Sequence, residues 1–196
     1  WDVATRKIVK KLPMQERGAS LQFSSDGRFL GVRGRTKVYL FDRLADWKPT
    51  PLVGHPEEVY GFAFHPSKPW VGLGLANGRV SVVDPLSGKV HHTLDGRNGD
   101  MNELAFSRDG SQVLAWGRAK GLTLWELESG DVTWSIPVRG DSYILDTAPS
   151  PDGKSLAVTY SDRFVAVFRT DISIPKRGEA THTDAVYGVS VSPDGS

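Results

Sequence analysis

The sequence contains no cysteine and only two methionines. The first absence excludes a disulfide framework and any thiolate metal site. It fits a reducing compartment, so a cytoplasmic setting is the expectation. An excess of one charge sign is also missing: 24 Lys and Arg stand against 23 Asp and Glu, a net charge of +1. No bulk field therefore draws the chain toward nucleic acid or an anionic membrane. No run approaches the ~18–20 continuous apolar residues of a membrane helix, and no signal-peptide pattern opens the chain. No amphipathic run of 3.6-residue period is long enough for a helix. The chain opens on Trp1 rather than Met, so a segment upstream is expected. Catalytic motifs are missing as well. There is no Gly-x-Ser-x-Gly elbow, no phosphate loop, no Gly-x-Gly-x-x-Gly after a strand and no His-Glu-x-x-His. The expectation is a chain without catalytic residues and without a cofactor.

Gly and Pro are abundant, at 21 and 12 residues, and they recur along the chain instead of clustering. They accompany 8 Phe, 6 Trp and 5 Tyr, which a disordered segment would lack. Many short strands with frequent turns are the better reading. Self-similarity decides the organisation. One motif recurs as Phe23-Ser-Ser-Asp-Gly27, Phe64-His-Pro-Ser-Lys68, Phe106-Ser-Arg-Asp-Gly110, Pro149-Ser-Pro-Asp-Gly153 and Val191-Ser-Pro-Asp-Gly195. Its last residues lie 41, 42, 43 and 42 positions apart. A second landmark keeps the same step: Trp1-Asp2, Phe41-Asp42, Val83-Asp84, Trp125-Glu126 and Phe168-Arg169. Within a unit, apolar stretches such as Val59 to Phe64, Trp70 to Leu75, Arg79 to Val83 and Lys89 to Leu94 alternate with turns. Asn77-Gly78 among these fits a tight hairpin.

These residues resemble the WD40 repeat family. The matches are Gly54-His55 and Thr181-His182 before a first strand, the Ser-x-Asp-Gly turns after it, and Trp1-Asp2 and Trp125-Glu126 after the third. The resemblance implies an all-β, WD40-like β-propeller fragment of four complete four-stranded antiparallel blades plus flanking strands. Residues 1–12 would be the tail of a preceding blade. Complete blades would occupy 18–53, 59–94, 101–136 and 142–174, and 185–196 would begin a further one. Propellers of this kind close with more blades than four, so an unpaired edge is expected at each end, with self-association through it as the liability. The family's buried polar network joins the Gly-His histidine, a strand hydroxyl, a turn Asp and the Trp. No complete unit here keeps all four, so apolar packing is expected to dominate. The irregular repeat signatures and the Ser-Pro-Asp-Gly-Lys turn suggest a bacterial source.

The resemblance also implies function: a non-catalytic protein-interaction scaffold, with a sensor or docking propeller of a larger signalling enzyme, such as a bacterial kinase, as the alternative. The loops before each first strand and between second and third strands share one face. The candidate partner-binding residues there are Arg33, Arg35, Arg97, Arg118, Lys120, Arg139 and Arg163. They suit an acidic peptide through Arg–carboxylate pairs. Acidic residues are interspersed among them, which argues against a phosphate track for nucleic acid. His91-His92 is the one tempting metal pair. Adjacent strand residues point to opposite faces, so the two are not expected to share an ion. The turn residues Asp26, Asp109, Asp152 and Asp194 recur one per unit and are expected to bond their own turns, not calcium. Trp47, Trp70 and Trp134 are the aromatics least fixed by the pattern, and packing at a blade edge is their expected role.

Overall fold

The computed structural model describes residues 4–14, 16–35, 37–52, 58–96, 101, 103–117, 121–136, 138, 142–150 and 152–169. The first sheet comprises β1 (Ser20–Phe23), β2 (Phe29–Arg33), β3 (Val38–Asp42) and β4 (Lys48–Pro51). The second holds β5 (Val59–Phe64), β6 (Val71–Leu75), β7 (Arg79–Val83) and β8 (Val90–Asp95). The third holds β9 (Glu103–Phe106), β10 (Gln112–Gly117), β11 (Gly121–Glu126) and β12 (Val132–Ile136). In the fourth, β13 (Ile144–Pro149), β14 (Ser155–Tyr160) and β15 (Phe164–Arg169) are described. Each sheet is an antiparallel meander in sequence order. The architecture is all-β, as the repeat implies. Among the described residues one short 3-10 turn, Arg43–Ala45, is the helical exception. The fourth strand expected at 172–174 and the first strand expected at 185–191 lie outside the described residues. Among residues 4–12 a single bridge at Lys7 stands where a fourth strand was expected.

The repeated turn explains why the strands begin and end where they do. Ser24 Oγ donates to Asp26 Oδ1 at 2.6 Å and accepts from the Phe29 amide at 2.9 Å. Asp26 Oδ1 accepts from the Arg28 amide at 3.0 Å. The same bonds recur from Ser107 and Asp109 to the amides of Gln112 and Ser111, and from Ser150 and Asp152 to those of Ser155 and Lys154. The glycine closing each turn has φ between +64° and +78°, a region that favours glycine. Each of these aspartates is held below the usual carboxylate range, first by its serine hydroxyl and then by backbone amides. The second unit has no Ser-x-Asp pair. There the ring of His65 replaces it, Nδ1 accepting from the amides of Ser67 at 3.1 Å and Lys68 at 2.9 Å.

The core lies between sheets, and the first strands lie along one inner edge, with β5 against both β1 and β9. Packing follows a knob-and-hole rule. Gly31 on β2 sits directly under the rings of Phe62 and Phe64, and Gly72 on β6 sits under Leu104 and Phe106. A Cβ at Gly72 would lie 2.6 Å from Leu104 Cδ1 and 3.1 Å from the Phe106 ring, closer than a real side chain tolerates. Between the third and fourth sheets the rule breaks. Register places Leu114 in the glycine position and Thr147 and Pro149 where the knobs stand. A second filler is also missing. His65 lies against Gly110 of the next sheet, its ring 5.0 Å from that of Phe106. Ser107 occupies the equivalent place in the third sheet, and Gly153 opposite it has nothing within 4 Å of a built Cβ.

Candidate functional site

At the strand ends away from the Ser-x-Asp-Gly turns, the first strands bring polar groups together. Counting back three residues from the aromatic that ends β1, β5 and β9, and from Pro149, gives one column: Ser20, Gly61, Glu103 and Asp146. Arg33, the cross-strand partner of Ser20, donates from Nε to its Oγ at 3.3 Å and from Nη1 to the Gly34 carbonyl at 3.4 Å. Burial raises the Glu103 carboxyl above its ordinary pKa; the Arg33 charge opposes this and the Asp146 charge adds to it. The Glu103 carboxyl on the third sheet therefore feels a guanidinium of the first sheet and a carboxylate of the fourth. Asp146 Oδ1 accepts from the Thr147 amide at 2.8 Å, and a register irregularity between Ile144 and Asp146 sets the residue in place. Sequence reasoning named Arg33 but missed Glu103 and Asp146. The signal was available: the turn motif aligns the four first strands, and the column then carries Ser, Gly, Glu and Asp.

Of the other expected partner-binding residues, Arg35 and Arg163 are exposed. The Arg35 amide donates to Glu16 Oε2 at 3.0 Å. Arg163 occupies the β14–β15 turn at φ +65°. Among the described residues neither guanidinium forms an ion pair. Arg79, on the same face, is paired with Asp95 at 2.8 Å. Arg97, Arg118, Lys120 and Arg139 lie outside the described residues, as do His55 and His182.

Around the histidine pair the ladder is irregular. A register shift in β7–β8 places Val82 opposite His92 and Val83 opposite Val90, so His91 is an extra residue in β8. The bulge breaks strict alternation. Trp70 stacks on His91 at 4.3 Å and also lies 5.6 Å from His92, with Lys68 Nζ 4.1 Å above the indole. Adjacent histidines thus approach one ring, which alternation alone would forbid. Among the described residues no group of three His, Asp or Glu is arranged to hold a metal ion. Trp47 meets Phe23 edge-on at 6.3 Å and Trp134 meets Phe168 at 5.6 Å. Trp125 is fully buried, and its indole nitrogen has no hydrogen-bond partner among the described residues. That fits a unit in which Gly96-Arg97 stands where Gly-His would be. No helix among the described residues is long and apolar enough to cross a membrane.

No protein-family model matches the chain. Individual relatives do. Striatin-4 from Mus musculus is 27% identical over 152 residues, covering 74% of this chain and 20% of its own length. WD repeat-containing protein 36 from Homo sapiens is 29% identical, covering 53% of this chain and 11% of its own length. The Protein LST8 homolog of Drosophila melanogaster is 26% identical over 176 residues, covering 85% of this chain and 56% of its own length. The chain therefore spans between about a tenth and just over half of these relatives. All three are eukaryotic, so they lend the bacterial expectation no support. They are WD repeat proteins, and with the meander sheets they support a segment of WD40 type.

Proposed function

We propose that the chain is a non-catalytic protein-interaction scaffold whose partner docks on the face where first strands begin. The carrying observation is the pair of exposed arginines, Arg35 and Arg163, that form no ion pair among the described residues at these strand ends. The register of the strands behind them is specified, because a slip of one residue would exchange the buried and exposed faces of a strand. The WD repeat character of the relatives favours the same reading. Arg35 and Arg163 offer exposed guanidiniums on the rim, and the repeat phase assigns Arg97, Arg118, Lys120 and Arg139, outside the described residues, to the same set of loops. An acidic segment is the proposed partner. It lies along this rim and avoids the inner edge, where Glu103 and Asp146 repel it.

A hexaglutamate peptide titrated against the chain tests this proposal. Binding is expected to weaken with salt and to fall when Arg33, Arg35 and Arg118 are each changed to Glu. Affinity indifferent to all three changes removes the face from consideration. The small share of striatin-4 that the chain spans favours a second reading, a docking module within a larger multidomain protein. A turnover screen of the longer protein, with and without this segment, bears on that reading.

A further inference from the structure

We infer that the cleft between the third and fourth sheets takes an aromatic side chain of a partner peptide that carries a carboxylate next to it. The cleft goes beyond the docking face proposed above, because it opens at the Ser-x-Asp-Gly turns, at the opposite strand ends. It encloses about 370 Å³, within the usual range of ligand pockets. Its apolar wall is built from Phe106, Leu114, Leu124, Trp134, Pro149 and Leu156.

The cleft exists because the repeat omits a ring there. Where β1, β5 and β9 end on Phe23, Phe64 and Phe106, β13 ends on Pro149. Where His65 closes the turn level between the second and third sheets, Ser107 leaves it open. The missing volume is thus that of flat rings, such as Phe64 and Phe106 supply at the two preceding junctions. Three polar side chains of the wall are already committed. Ser107 Oγ and Ser150 Oγ bond their turns, and Gln112 Nε2 donates to Glu126 at 3.2 Å. An apolar occupant therefore leaves none of these three newly unpaired. Arg108 is the exception at the rim. It is exposed and forms no ion pair among the described residues. In the corresponding cleft between the first two sheets both cations are engaged, Arg28 by Asp42 at 2.8 Å and Lys68 by the Trp70 ring at 4.1 Å. An apolar slot with one available guanidinium complements an aromatic residue beside a carboxylate.

The test uses the full 196-residue chain and follows the Trp134 indole resonance by NMR. Acetyl-Phe-Asp-amide is expected to shift it saturably. Acetyl-Phe-Asn-amide, or the Arg108→Gln variant with the original peptide, should bind about three- to fivefold more weakly, the size expected of an exposed ion pair. Pro149→Phe, which supplies the ring from within, should abolish the shift while the melting temperature stays at or above that of the parent. Arg35→Glu should leave it unchanged, which separates this cleft from the docking face. Three outcomes overturn the proposal: no saturable shift, equal affinity for the Asp and Asn peptides, or tighter binding of free 3-phenylpropionate than of the peptide. The last would make the occupant a small carboxylate.

Discussion

The junction between the second and third sheets and the junction between the third and fourth are built from the same repeat, yet they place their volume differently. In the former, Gly72 opens a hole for Leu104 and Phe106, and His65 closes the turn end. In the latter, Leu114 fills the hole, Thr147 and Pro149 retreat, and the turn end stays open. Strand order and antiparallel pairing are the same on both sides of the third sheet. Backbone architecture in this chain is therefore set by hydrogen-bonded turns, whereas the quality of a junction is set by two or three side chains. Function can be lodged in a junction without altering the frame.

That contrast can be broken experimentally. The largest effect is expected from Phe62→Ala, which empties a closed junction. Truncation of a buried aromatic of this kind costs about 3–5 kcal/mol, read by urea denaturation. Thr147→Ala at the corresponding place in the open junction should cost far less; equal losses would erase the distinction. Gly72→Leu, which gives the second sheet the residue carried by the third, should destabilise by about 3 kcal/mol through overpacking. Parental stability in that variant would show that the hole is not needed. Pro149→Phe runs the other way and should add about 1 kcal/mol by filling the cleft, seen as a higher denaturation midpoint.

The smallest effect is a slope with pH. Burial pushes the pKa of His65 down, an effect the Gly110 backbone opposes and the charge of Lys68 aids. The folded chain then binds fewer protons than the unfolded chain in this range. The stability from His65 is complete above the unfolded value of about 6.5. It declines as pH falls from there toward the lowered folded value. In His65→Asn this portion of the slope should vanish. Its persistence would assign the slope to other groups.

Much of the frame was legible because the Ser-x-Asp-Gly turn is both a sequence motif and a physical device. Its side chains cap the same amides each time, so period and strand position follow from it. The second unit shows the limit. Phe64-His-Pro-Ser-Lys68 matches the motif only loosely, and that one imidazole replaces a Ser–Asp pair is visible only in the bond distances. At His91 and His92 only the assumed alternation gives way. Alternation presumes an unbroken ladder, and the bulge in β8 is not written in a local residue pattern. Glu103 and Asp146 belong to strands that are distant in sequence, so their coupling depends on how sheets converge.

The knob-and-hole rule gives the set of sheets a direction. On the first sheet Leu21 and Phe23 are 68% and 54% exposed, whereas their counterparts Phe62 and Phe64 are 5% and 9% exposed under Gly31. The first sheet thus presents knobs outward, and β14 offers small Ala157 in the place of the hole. Two such surfaces are unlike. Copies meeting through them would join head to tail, in a heterologous contact with no two-fold axis. Such a contact closes only if its rotation happens to complete a circle, and otherwise it grows by addition at either end.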